Sequence, residues 1–413
     1  GRGPQAGSRH LGVRVPVALD RLASGPVPCR RPRPQAVRKR LLIGAFRHAR
    51  RIQYVLPHDL REGLAEARHW ENGTWKTTPA MTHKVNFDFP AIGPKNMYLM
   101  YHEELESQLA DHVQKEDCIL LNFGYQGILS AIDALVDRRD VIVYDAESHA
   151  CIIDGVRLHP GKRFVYAHND IPSLEKQLER AQKMADETGG AILVITEGVF
   201  GMRGEQGILK EIVSLKEEYG FRFLVDDAHG FGVLGSSGAG SLELAGLAPE
   251  RVPVLMVTLG KALGAAGACV IGDELLIDSL VQQARNYIYT TATPPAVAAA
   301  ALTGLQLVRE EPWRRQHLAA LIGQFRKGAQ QLGLPLLESD TPIQPLLVGD
   351  ATLASALSDA LLARGVLIGA IRPPTVAAGT SRLRITLTAG HSAQQVEQLL
   401  AALAAVWPSA SDD

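Results

Sequence analysis

The sequence predicts an α/β fold, a mostly parallel sheet covered by helices on both faces, with a smaller α+β unit after it. Three observations predict it. Short, wholly apolar runs alternate with amphipathic helical stretches from about Glu103 to Gly272, the pattern of strands buried on both faces. Polar residues gather where those runs end. After about Pro294 the texture changes to long helical stretches interrupted by only two strand-like runs.

The elements follow in order. "HEELESQLADHVQKE" sets Leu105, Leu109 and Val113 on one helical face, as an amphipathic helix requires. "CILL" reads as a buried strand ending at "NFGYQG", and "GILSAIDALVDRRD" as a second helix before the strand "VIVY". "SLEKQLERAQKMADE" aligns Leu174, Leu178 and Met184; "AILVI" is a strand; "ILKEIVSLKEEYG" is a helix with a glycine stop; "FRFLV", "VLMVT" and "ACVI" complete the strands. Beyond Pro294 come the helices "AVAAAALTGLQLVREE" and "RRQHLAALIGQFRKGAQQLG", then "IQPLLVG", "LASALSDALLARG", "RLRITLT" and "SAQQVEQLLAALAAVW". The expected organisation is an atypical N-terminal segment over 1–87, a large unit over 88–293 and a small unit over 294–413.

Composition narrows the function. The formal net charge is -1, which gives no general electrostatic case for nucleic acid or an anionic membrane. No apolar run approaches the length that spans a bilayer. Cys29, Cys118, Cys151 and Cys269 lack CxxC spacing, so neither a disulfide framework nor a zinc site is expected, and a reducing, cytoplasmic compartment fits. From Gly1 to Arg51 the only acid is Asp20 while arginines recur. Such a stretch reads as a disordered basic arm or as a transit-type leader that would direct the chain to mitochondria, and we set it outside the fold.

In parallel sheets ligands bind at the carboxyl ends of the strands. The polar residues there are Gly124 and Tyr125, Ser148 and His149, Glu197, Asp226 and His229, and Lys261. Asp226 follows an apolar strand and heads "DDAHG"; such a motif suits a turn cap with a structural histidine, or a carboxylate that neutralises a protonated ring nitrogen. Lys261 ends an apolar run and is walled by glycine and alanine in "VTLGKALGAAGA". A lysine so shielded has a lowered pKa and acts as a nucleophile toward an aldehyde, as a Schiff base. A lysine amine with a carboxylate for a pyridinium nitrogen is what pyridoxal phosphate requires. Thr258 and the backbone at Gly124 and Tyr125 offer a phosphate cradle. A P-loop is excluded, because Ala262 stands where Ser or Thr would bind magnesium.

"SHACIIDGVR", "TEGVFGMRG", "DDAHGFGVLG" and "VTLGKALGAAGA" stand in the order and spacing of the α-oxoamine synthases, and the chain resembles that family from about Tyr101 to Trp407. The resemblance implies a fold-type I pyridoxal 5'-phosphate enzyme, aspartate aminotransferase-like. Such an enzyme is an acyltransferase that condenses an amino acid with an acyl thioester of CoA or acyl carrier protein and releases carbon dioxide. It implies that Lys261 binds the cofactor aldehyde, Asp226 the pyridine nitrogen and His229 the phenolic oxygen, with His149 stacked on the ring. Thr258, Gly124 and Tyr125 match phosphate-side positions, and Glu197 and Gly201 fall on the cofactor side. Thr290 and Thr291 in "NYIYTTATPP" match hydroxyls that reach the phosphate of a neighbouring subunit, which implies a homodimer with shared sites. Arg384 matches the residue that grips the amino-acid carboxylate, with Arg372 and Thr375, like His149, among the substrate contacts. The C-terminal motifs resemble the branch that joins L-alanine to a pimeloyl thioester. The stretch from "NFGYQG" to "TEGVFGMRG" is closer to the serine palmitoyltransferase-like branch, and Gly201 stands where the former usually has serine. The family also places an "NxYLGL"-like segment upstream; "FPAIGPKNMYLMY" does not match it, which leaves that part of the substrate pocket unassigned.

Overall fold

The computed structural model describes residues 66–71, 74–79 and 96–408, with side chains from 101 to 408. The basic leader, and most of the stretch expected to form an atypical N-terminal segment, lie outside the described residues. Strands Glu66–Glu71 (β1) and Thr74–Pro79 (β2) pair as an antiparallel hairpin. Helix Asn96–His112 (α1) starts earlier than the leucine spacing predicts. "NMYLMY" is rich in straight-chain helix formers, and Pro94 stands just before it.

Among the described residues the main sheet has seven strands: Asp117–Leu121 (β3), Val141–Asp145 (β4), Lys162–Tyr166 (β5), Ile192–Glu197 (β6), Arg222–Asp226 (β7), Val254–Thr258 (β8) and Ala268–Gly272 (β9), in the order β3-β9-β8-β7-β6-β4-β5. All run the same way except β9, which pairs antiparallel with both β3 and β8. The sequence reading missed β5. It is an edge strand with pattern "KRFVY" and exposed charged residues at its start, so no apolar run marks it.

Alternate residues of each strand point to opposite faces, and two cores follow. One face packs Val143, Val194, Phe223, Val225 and Val257 beneath α1, the helices Ile171–Thr188 and Leu209–Tyr219, and Pro295–Glu310. The other packs Ile142, Leu193, Leu224 and Met256 beneath Gly124–Leu135, Ala150–Leu158 and Glu274–Gln283. The helix Pro295–Glu310 lays Ala298, Ala301 and Leu305 into the first core, so it is packed with the main sheet. Left-handed glycines end two helices, Gly189 after Thr188 and Gly220 after Tyr219, where a residue with a Cβ would be strained.

A second sheet of three antiparallel strands follows: Ile343–Gly349 (β10), Gly369–Ile371 (β11) and Ser381–Thr386 (β12), with β12 central. It carries its own core of Leu321, Phe325, Leu346, Leu361, Leu383 and Leu403. The two sheets meet on one turn of the main chain. Ser339 Oγ and Thr341 Oγ1 each donate to the Gly204 carbonyl at 2.8 Å. Gly204 has φ +75°, and a Cβ there would lie 2.3 Å from the Ile343 carbonyl.

Gly204→Ala is therefore expected to cost about 2 kcal/mol or more, from left-handed strain plus a backbone clash. Denaturant unfolding read by tryptophan fluorescence checks it; Trp313 and Trp407 lie in the C-terminal part. An unchanged midpoint would show that this turn does not need glycine.

Candidate active site

The carboxyl ends of β3, β4, β6, β7 and β8 supply the cleft. Parallel register sets Glu197 directly beside Asp226. Both are buried, at 4% and 5% exposure. Burial and the neighbouring Asp226 charge push the Glu197 carboxyl well above the usual range, while burial raises Asp226 to about 6. The Ala228 N–H donates to Asp226 Oδ1 at 3.0 Å and partly offsets that cost. Glu197 Oε1 accepts the main-chain N–H of His149, the residue that caps helix Ala150–Leu158. His149 Nδ1 accepts from the Cys151 N–H at 3.2 Å, which fixes the imidazole at the cleft. Burial and the Lys261 charge hold His149 below its ordinary value.

Lys261 is placed differently from the sequence expectation. It is exposed, in an exposed "GKA" turn, so its glycines and alanines leave open room around it rather than walling it in. Desolvation by the surrounding protein still lowers its pKa, against the attraction of Asp226 and Glu197. Burial, then the Lys261, Arg384 and His149 charges, push His229 down to about 3, so its imidazole is neutral. Gly201 lies against it: a Cβ there would come 2.7 Å from His229 Nε2. The Gly201 carbonyl also accepts Arg384 Nε at 2.7 Å, and Arg384 Nη1 donates to Thr386 Oγ1 at 3.1 Å. Gly201 thus seats a neutral imidazole and a guanidinium at one corner.

The phosphate-side residues also meet. Helix Gly124–Leu135 begins at Phe123 with no side-chain cap, so its first N–H groups are free to meet an anion. A Cβ on Gly124 would lie 2.7 Å from Thr258 Cγ2; the missing side chain leaves a notch between the helix start and Thr258. The Tyr125 hydroxyl points elsewhere, donating to Asp154 Oδ2 at 2.7 Å, so only its main chain serves the notch. One turn along, Gln126 Nε2 donates to Thr290 Oγ1 at 3.0 Å, and Asn122 Nδ2 to the Thr291 carbonyl at 2.9 Å. A notch for an anion, a buried carboxylate and an accessible amine with a lowered pKa fit a phosphorylated pyridine aldehyde.

Arg372 and Thr375 are exposed and are not joined by any described contact to this group. Register explains the separation. Arg384 pairs with Gly369, and Arg372 follows Ile371, which pairs with Arg382; that puts Arg372 about 10 Å along the sheet from Arg384. Sequence reasoning also left Asp227 without a task. Ser241 N–H and Oγ donate to its two oxygens at 2.8 and 2.5 Å, and a Cβ on Gly198, Gly230 or Gly240 would come within about 2 Å of them. The crowding of glycines around "DDAHG" is the signal that could have found it.

The chain matches the family described as aminotransferase class I and II over residues 73–403. It is 49% identical over 306 residues to an 8-amino-7-oxononanoate synthase from Pseudomonas paraeruginosa, covering 74% of this chain and 75% of that one. Among solved structures, the Sphingomonas wittichii serine palmitoyltransferase aligns with a TM-score of 0.70 at 32% identity, over 74% of this chain and 76% of that chain. A serine palmitoyltransferase solved with pyridoxal phosphate aligns with a TM-score of 0.71 at 30% identity, over the same shares.

The adjacent aspartates are expected to separate experimentally. Asp227→Asn should lower stability by about 2 kcal/mol, because a buried, doubly hydrogen-bonded carboxylate loses an acceptor. Asp226→Asn should leave the melting point nearly unchanged, or raise it, by removing a buried charge. Thermal unfolding of the two variants without added ligand decides; equal destabilisation would refute the division of roles.

Proposed function

Because this chain belongs to the aminotransferase class I and II family, in its α-oxoamine synthase branch, we propose that it joins L-alanine to a pimeloyl thioester. The products are 8-amino-7-oxononanoate, carbon dioxide and free CoA or acyl carrier protein, a step of biotin biosynthesis. The observation that carries this reading is the convergence of an accessible, pKa-lowered Lys261 with buried Asp226, neutral His229 and Arg384 at one end of the sheet.

Bound pyridoxal phosphate supplies an electrophilic aldehyde and a sink for electrons. The chain supplies the rest. Lys261 Nζ would hold the aldehyde and is the base placed to take the α-proton of the amino acid. Asp226 would keep a proton on the ring nitrogen. His149 would cover the ring face, and His229, uncharged, would donate to the phenolic oxygen. The N–H groups of Gly124 and Tyr125 would hold the phosphate with the Thr258 hydroxyl. Glu197 anchors the main chain of His149, and Gly201 gives His229 its space. The Arg384 fork clamps the amino-acid carboxylate, with Arg372 and Thr375 assigned to substrate contacts at the rim. In a homodimer Thr290 and Thr291 would complete the phosphate site of the second copy. A cytoplasmic location accords with the bacterial relatives better than a mitochondrial one, and among the described residues no helix is long and apolar enough to cross a membrane.

A second reading has support in the alignment to serine palmitoyltransferases: serine, with a longer acyl-CoA, in the same reaction. A non-catalytic scaffold role lacks such support, since Lys261, Asp226 and His149 are all present.

Lys261→Ala should abolish the absorbance of the lysine-linked cofactor and reduce turnover about a thousandfold or more; normal turnover would sink the assignment. Cofactor loading, followed by absorbance, should weaken as the pH falls through about 6, because protonated Asp226 cannot neutralise a ring cation. A matrix of amino acids against acyl thioesters, scored by free thiol released, decides the substrates: serine with palmitoyl-CoA outrunning alanine with pimeloyl-CoA would favour the second reading.

A further inference from the structure

We propose that His168 is a positioning residue for this reaction: bridged between Asp145 and Glu205, it fixes the Val199–Gln206 turn whose Gly201 carbonyl holds Arg384. The inference rests on the reading that Arg384 grips the amino-acid carboxylate.

The bridge is two-sided. His168 Nδ1 meets Asp145 Oδ1 at 2.8 Å, and Nε2 meets Glu205 Oε1 at 2.5 Å. Asp145 is wholly buried at the end of β4 and is itself fixed by the N–H groups of Glu147, at 2.8 Å, and Asn169, at 3.0 Å. The ring also stands edge-on to Phe200, centroids 4.4 Å apart. Thus His168 ties a rigid strand end to both sides of the turn, Phe200 and Glu205, which are themselves joined by the Phe200 N–H to the Glu205 carbonyl at 3.0 Å. Between them the turn presents Gly201 to Arg384 and Gly204 to Ser339 and Thr341. A shift of the turn therefore moves the guanidinium that faces the substrate. Glu147, His168 and Glu205 are close enough to suggest a metal cluster. Arg203, however, pairs with Glu205 and with Glu147 at 3.2 Å; a guanidinium already fills the place a cation would take.

Electrostatics give the bridge a pH range. Burial opposes a charged ring, but the hydrogen bonds to Asp145 and Glu205 outweigh it and lift His168 to about 9. The surrounding charged groups are Asp145 on β4, Glu147 after it, Arg203 and Glu205 on the turn, and Arg382 on β12, which feels Arg203, Glu147 and Glu205. Tyr166 on β5 also lies near Asp145; burial first, then the Asp145 charge, keeps its hydroxyl protonated. With the folded value raised above the unfolded 6.5, the stabilisation is complete below about 6.5 and is lost as the pH rises through about 9. Above that, Asp145 and Glu205 face a neutral ring and the turn loosens.

The test uses the full chain loaded with pyridoxal phosphate. His168→Gln should raise the alanine KM about tenfold while kcat changes less than about threefold. In Glu205→Gln, which keeps an acceptor but removes a charge, the alkaline rise in KM should begin at lower pH than in the parent. Amide hydrogen exchange should quicken across 199–206 in both variants and leave β6 protected. Unchanged KM and unchanged exchange of the turn in both variants would overturn the proposal. Exchange of β6 rising as much as that of the turn would also overturn it, by making His168 a general structural residue. If no substrate pair condenses at all, the functional reading falls, and the exchange measurement still decides whether His168 holds the turn.

Discussion

Glu197 and Asp226 end neighbouring parallel strands, and the rest of the cleft depends on keeping these two carboxylates side by side out of water. Register alone forces the pairing, since the strands are bonded through their last residues. Burial raises the cost of ionising both, and the Asp226 charge raises it further for Glu197, so whatever surrounds them must answer that cost. Glu197 is answered by a main-chain N–H, which at the same time decides where the helix after β4 begins and where His149 stands. Asp226 is answered in part by the Ala228 N–H and by the charge on Lys261. Lys261, His149 and Asp226 are thus parts of a single electrostatic settlement.

The turn after β6 extends that settlement to the second sheet. Its carbonyls receive Arg384, Ser339 and Thr341, so the C-terminal sheet is fastened to the same segment that borders His229. Glycine is needed at 201 and 204 for different reasons. At 201 a side chain would strike an imidazole; at 204 it would strike a backbone carbonyl in a left-handed conformation. The Arg384 contact and the docking of the second sheet therefore share one short piece of chain.

Much of the fold was legible in the sequence because central parallel strands are buried on both faces, and six of the seven strands read as unbroken apolar runs. What escaped lies at the margins. β5 starts with exposed charged residues at the sheet edge, and β11 has only three residues. The reversed direction of β9 leaves no mark, since a strand buried on both faces has the same composition either way. In the site, strand-end residues were readable by position. Lys261 was misread in its surroundings, because small residues signal open space as well as close packing. Asp226 and Asp227 are identical letters whose tasks only the alternation of the strand separates. His168 could not be found at all: its partners stand 23 and 37 residues away in sequence.

The place of β9 has a consequence for how the molecule comes into being. Among the described residues β3 bonds within the sheet only to β9, and β9 separates it from β8. During synthesis β3 leaves the ribosome about 150 residues before its sheet partner, a wait of roughly 10–30 s at ordinary elongation rates. Throughout that wait β4 to β7 can assemble in order, while β3 lacks its sheet partner. The arrival of Ala268–Gly272 closes the gap. The turn that bears Lys261 is drawn tight by the same event, through the Leu259 N–H to the Gly267 carbonyl. The turn that bears Lys261 therefore takes its final form only once β9 has joined the sheet.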